Sequence, residues 1–185
     1  MKKTVVIDVV GLSANLIGEH TPFLQQYVKK RNLASIAPML PAVTTAVQST
    51  YLTGKQPSGH GIVGNGWYDH TDAEIKFWKQ SNKLVLAEKI WDEAKKADPS
   101  FTCSNMFWWY NMYTNADYGV TPRPNYLADG RKMPDCYSYP AELRDILQEK
   151  LGQGPLLQFW GPGANIKSSK WIADASVITD GLYDP

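Results

Sequence analysis

Apolar, β-branched runs alternate with amphipathic helical segments along this 185-residue chain, and that alternation constrains its fold more than any other feature. The first run, TVVIDVV (residues 4–10), reads as a buried strand. In TPFLQQYVKKRN, Thr21 suits a helix N-cap and Pro22 the first helical position, where a missing N–H does no harm. Pro38 and Pro41 hold ASIAPMLPAV (residues 34–43) extended. Residues 44–53 then read as a helix stopped by Gly54, and residues 59–70 as a turn-rich loop.

The later chain continues the pattern. Residues 82–99 form an amphipathic helical segment with Leu84, Ala87, Ile90, Trp91 and Ala94 on one face. A strand over 100–109, a loop over 111–140 and a helix over 140–152, stopped by Gly152, are expected next. A short strand over 155–162 and a last helix over Ser169–Leu182 complete the order. The expectation is an α/β fold with a mainly parallel sheet flanked by helices. A crossover helix connects two parallel strands, and the last one has no strand to return to. The fold is therefore expected to be incomplete at the C-terminus.

Charge and composition narrow the partners. Apolar residues make up 43% and charged residues 20%, a globular composition. The net charge of +1 supplies no field for nucleic acid or an anionic membrane, so a small molecule is the expected partner. No apolar stretch is long enough to span a bilayer, and Asp8 interrupts what would be the core of a secretory signal. Cys103 and Cys136 make no disulfide framework and fit a cytoplasmic setting.

Two short motifs fail on context. GHGIVG (residues 59–64) has the letters of a dinucleotide fingerprint but neither a preceding strand nor a following helix. TGKQ cannot be a phosphate loop, because Gln56 stands where Ser or Thr must bind magnesium. The histidines His20, His60 and His70 lack metal-ligand spacing.

Asp8 and Thr44 are harder to set aside. A carboxylate in a buried strand is costly unless it is paired, protonated or bound to a metal. At the C-terminal edge of a strand it would face the ligand side of an α/β sheet, or simply cap the next turn. Thr44 at the start of a helix is a natural N-cap. The same position also suits a nucleophile, because the helix dipole and its free N–H groups favour an alkoxide and an incoming phosphate.

Taken together, VVIDVVGL followed by LPAVTTAVQSTYLTGKQPSGHGIVGNGWYD resembles the type I phosphodiesterase/nucleotide pyrophosphatase branch of the alkaline phosphatase superfamily. Thr44 stands nine residues before Thr53-Gly54, and Pro57, His60, Gly61 and Ile62 follow in the family's order. The resemblance is strongest over residues 4–69, and the aromatic stretch from Phe77 to Tyr113 fits bacterial members described only as alkaline phosphatase family proteins. It implies two divalent metal ions, usually zinc, with Asp8 and Thr44 sharing one. It also implies that Thr44 attacks phosphorus to form a phospho-threonine, which water then hydrolyses. His60 in this position stabilises the turn.

The chain departs from the family where Phe-Pro-Asn-His typically follows the threonine. Here Thr45-Ala46-Val47-Gln48 follow, so Gln48 or Asn65 is the expected contact to a phosphoryl oxygen. Trp67, Tyr68, Trp108, Trp109 and Tyr110 could stack on a base or another flat group. After Asn111 no histidine accompanies Asp117, Asp129, Asp135, Asp174, Asp180 or Asp184. Most metal ligands are thus expected beyond Pro185, with residues 1–185 forming the N-terminal part of one catalytic domain. The rivals are a superfamily phosphomonoesterase, phosphomutase or sulfatase-like enzyme, and a non-catalytic α/β module. Sulfatases use a modified Cys or Ser nucleophile, which Thr44 is not.

Overall fold

A computed structural model describes residues 2–185, which divide into two compact units, Met1–Met39 and Leu40–Pro185. The first unit holds a short helix, α1 (Pro22–Val28), with Pro22 at its first position. Thr21 braces the preceding turn: its Oγ1 accepts from the Gly18 N–H at 2.9 Å and donates to the Leu16 carbonyl at 3.0 Å. No described residue of this unit is buried. The segment expected as a buried strand, residues 4–10, is instead exposed and joins no sheet among the described residues, with Val6 at 68% and Ile7 at 77%. β-branched residues favour an extended backbone, but a strand also needs a neighbour to take its N–H and C=O groups. No strand ladder forms along this segment among the described residues.

The second unit carries α2 (Thr44–Thr53), α3 (Pro57–His60), α4 (Ile90–Ala97), α5 (Glu142–Leu151) and α6 (Ile166–Tyr183). Its strands are β1 (Gly66–Asp69), β2 (Glu74–Phe77), β3 (Ser104–Met106), β4 (Tyr118–Pro122), β5 (Asn125–Tyr126), β6 (Lys132–Met133) and β7 (Cys136–Tyr139). The class is mixed α/β, as expected. The sheets are small: β3-β4-β7, with two-stranded β1-β2 and β5-β6 beside it. Among the described strands β3 and β4 pair in parallel and the other strand pairs are antiparallel, with one further isolated parallel bridge between Ser81 and Met112. These pairings do not confirm a mainly parallel sheet.

Two apolar clusters hold the unit together. In the larger, Leu143 and Leu147 of α5 and Trp171 and Ala175 of α6 close over Val120 and Cys136. Each helix presents residues four apart, which fall on one face. The Trp171 ring meets Phe107 edge-on at 5.7 Å, and its Nε1–H donates to the Gly152 carbonyl at 3.0 Å. The smaller cluster joins Ile62, Val85, Trp109 and Tyr110. Burial pushes the Cys136 thiol up to about 11, so it packs as a neutral apolar group.

Several local expectations need correction. The helix expected over 82–99 begins only at Ile90, because Asp92 accepts the Lys89 N–H at 2.8 Å and fixes the start there. Residues 82–84 form a 3-10 turn instead, and Ile90 lies exposed rather than on the packed face. The strand expected over 100–109 shortens to Ser104–Met106. The strand expected over 155–162 is absent, and Leu156–Gln158 make a 3-10 turn within a Pro- and Gly-bounded stretch. The loop expected over 59–70 contains β1, and the loop expected over 111–140 contains β4 to β7. The last helix begins at Ile166, where the Asn165 side chain accepts from the Lys167 N–H at 3.0 Å.

Candidate functional site

Helix α2 occupies Thr44–Thr53 as its sequence predicts, and Gly54 ends it with a φ of +63° that favours glycine. Its N-cap is Val43, so Thr44 is the first helical residue and does not cap. The Thr44 side chain is half-buried and makes no hydrogen bond among the described residues. The N–H groups of Thr44 and Ala46 likewise find no partner among the described residues, whereas Val47 already donates to the Val43 carbonyl at 3.0 Å. The helix start thus keeps open donors beside a hydroxyl, the combination that favours an anion.

Asn65 is fastened to this helix start. Its Oδ1 accepts from the Thr45 N–H at 3.1 Å and from the Thr45 hydroxyl at 3.0 Å. Thr45 itself is fully buried. Gln48 lies one turn after Thr44 on the same helix, and its Oε1 accepts from the Trp109 N–H at 2.7 Å. Of the residues predicted from sequence, Thr44, Gln48 and Asn65 therefore gather around one end of α2.

The remaining predicted residues fall elsewhere. Trp67 and Tyr68 stand on β1, Trp67 half-buried and Tyr68 exposed, and Tyr68 packs edge-on against His70 at 5.0 Å. No hydrogen bond or ring contact ties either to Thr44 or Asn65 among the described residues. Asp8 lies in the first unit, on the exposed extended segment. Burial in a strand, the physical argument for its binding a cation, does not hold in this structure.

Trp78 was not among the sequence candidates, yet its N–H donates to the Asn65 carbonyl at 3.0 Å. Its ring meets Trp109 edge-on at 5.1 Å and lies nearly parallel to Trp160 at 6.5 Å. The segment 107–113 that carries Trp109 is strained, with positive φ at Phe107, Tyr110 and Tyr113. It is held in place by several bonds. Asn82 Nδ2 donates to the Tyr110 carbonyl at 2.9 Å, and Asn111 Nδ2 donates to the carbonyls of Asn105 at 2.8 Å and Val120 at 3.1 Å. Gly119 permits this approach, since a Cβ there would come within 2.5 Å of Asn111 Oδ1.

His60 has the turn-stabilising role implied by its position. It is fully buried, its Nδ1 accepts from the Ile62 N–H at 3.1 Å, and its Nε2 lies 3.0 Å from Thr50 Oγ1. An accepting Nδ1 requires the proton on Nε2, so the ring is neutral and donates to Thr50. Burial lowers its pKa from the usual value. The unfolded chain then binds a proton near pH 6.5 that the folded chain resists, so stability is present above about pH 6.5 and falls as pH drops through the folded pKa, by at most about 1.4 kcal/mol per pH unit. NMR titration should show His60 titrating below the usual histidine range, with its neutral form protonated on Nε2. A His60 that titrates above that range would contradict the assignment.

Among the described residues, no group of three or more His, Cys, Asp or Glu side chains could hold a metal ion. No helix among them is long and apolar enough to cross a membrane.

A family model described as type I phosphodiesterase / nucleotide pyrophosphatase matches residues 4–181. Comparison with curated proteins and with solved structures gives no match. The family match runs from the exposed first segment through α2, the Asn65 turn and the aromatic segment into α6. The chain belongs to the type I phosphodiesterase/nucleotide pyrophosphatase family, in the alkaline phosphatase superfamily.

Proposed function

We propose that the protein hydrolyses a small phosphoric ester, whether phosphodiester, pyrophosphate or phosphomonoester, through a phospho-threonine at Thr44. Membership of the family indicates a phosphodiesterase/pyrophosphatase-type hydrolase. The observation that carries the reading is Thr44 itself. It is the first residue of α2, and capping leaves its hydroxyl unused because Val43 holds that place.

In this reading the phosphoryl group settles at the start of α2. Its oxygens accept from first-turn N–H groups and from the Asn65 NH₂, where charge builds in the transition state. Thr44 Oγ1 attacks phosphorus as the ester P–O bond opposite breaks, and the proton the hydroxyl gives up passes through solvent water to the leaving oxygen. Water then cleaves the threonine–phosphorus bond and restores the hydroxyl. His60 is not the base, since both its nitrogens are engaged. Gln48 serves by holding the Trp109 backbone.

Two divalent cations, zinc, are the proposed cofactor, although the described residues do not form their site. Asp8 is the candidate ligand in the first unit, in an alkaline phosphatase-like domain whose sheet is mainly parallel. We place the protein in the cytoplasm, where Cys103 and Cys136 stay reduced. Turnover of a panel of phosphomonoesters, phosphodiesters and nucleotides by the complete protein tests the function. Hydrolysis of none of them overturns it. For Asp8, the expected result is that Asp8→Asn lowers the zinc content of purified protein without unfolding it. Unchanged metal stoichiometry would remove Asp8 from the ligand set.

A further inference from the structure

We propose that Thr45 is a positioning residue, one that fixes which way the Asn65 amide faces so that its NH₂ end is presented to the phosphoryl group. The inference rests on the function proposed above. It begins with two donors aimed at one atom, since both the N–H and the hydroxyl of Thr45 point at Asn65 Oδ1, at 3.1 and 3.0 Å. An NH₂ group cannot accept from an N–H, so the atom facing Thr45 must be the oxygen. The amide is thereby locked in one of its two orientations. The NH₂ faces the other way and donates to nothing among the described residues, which leaves its protons for a ligand.

The lock is backed from behind. Thr45 is fully buried and Tyr110 is 3% exposed. Burial pushes the Tyr110 hydroxyl up to about 12, against a smaller lowering by the Thr45 side chain. Tyr110 is held by the strained 107–113 segment, which Gln48 clasps through the Trp109 N–H.

The alternative is that Thr45 merely fills space in the helix start. Thr45→Val keeps the shape and the N–H but removes the hydroxyl. Thr45→Ser keeps the hydroxyl and removes a methyl. The test is steady-state turnover of a p-nitrophenyl phosphodiester by the complete protein, with folding checked by thermal melt. Thr45→Val should lower kcat about 10- to 100-fold with KM within about threefold, because the Asn65 donor is no longer held in place. Thr45→Ser should recover most of that loss. In an Asn65→Ala background, Thr45→Val should cost nothing further, because its effect passes through Asn65. A folded Thr45→Val protein with wild-type kcat overturns the inference, and so does a Thr45→Ser protein as impaired as Thr45→Val. Turnover retained by Thr44→Ala would instead overturn the nucleophile reading. Loss in Thr44→Ala with no loss in Thr45→Val overturns the positioning role alone.

Discussion

Replacing Thr44 by alanine in the complete protein is expected to lower turnover by about 10⁴-fold or more, the scale on which removing a nucleophile acts. The same change should cost little stability. Val43, not Thr44, is the N-cap of α2, and the Thr44 side chain makes no hydrogen bond among the described residues. Capping threonines cost about 1 kcal/mol when truncated, whereas this one should cost less than about 0.5 kcal/mol. Thr44→Ser should retain part of the activity, since a primary hydroxyl can attack from the same position. Steady-state kinetics and a denaturant melt of the same preparations separate the two roles. A stable Thr44→Ala protein with near-normal turnover is incompatible with covalent catalysis at this residue.

Asn65 separates anchoring from catalysis in a second way. Asn65→Asp keeps an oxygen acceptor for the Thr45 N–H and hydroxyl, and its charge is welcome near the start of a helix. The fold should therefore be as stable as wild type. The NH₂ donor is gone, however, and a negative charge now faces an anionic substrate. Asn65→Ala should lose about 10²-fold in kcat, as removal of one oxyanion donor does, and Asn65→Asp more than about 10³-fold. The order matters as much as the size. If Asn65 only ties the loop to α2, the aspartate should be the milder change, and kcat should follow stability. Measured kcat values in the order Asp above Ala would support that structural role and remove Asn65 from the phosphoryl site.

Helix α2 was legible in the sequence because local rules suffice there. A run of good packing residues is bounded by Pro41 before and Gly54 after, and the structure ends the helix where glycine takes φ +63°. Helix α5, with Gly152 after it, was legible for the same reason. The first segment shows the limit of such rules. Residues 4–10 have the composition of a buried strand, yet composition does not supply the partner that makes a strand. Strand β4 was missed in a stretch broken by Pro122 and Pro124, because its pairing with β3 and β7 depends on residues distant in sequence. The β1-β2 hairpin was hidden in the same way within a turn-rich stretch.

The site divides along the same line. Thr44 and Asn65 were candidates from sequence, because an ordered series of residues points to them. Thr45 was passed over as part of a departure from the family pattern. Its side-chain partner is Asn65, twenty residues on, a pairing that leaves no mark on the local sequence. Trp78 was invisible because its link to Asn65 is made by a backbone N–H, which leaves no mark on residue type. Asp8 was legible only as a motif position, and the burial inferred for it from its apolar neighbours is absent.

The account stands most directly on a covalent bond at one atom. The complete protein, mixed with the ester it turns over fastest and quenched in acid during the first turnovers, can be digested and its peptides weighed. Wild-type protein should carry the transferred phosphoryl group on the peptide that contains Thr44, with fragmentation placing it on Thr44 rather than Thr45, and the Thr44→Ala protein should carry none. An unmodified Thr44 peptide during rapid turnover, or an adduct on another residue, would contradict the phospho-threonine reading.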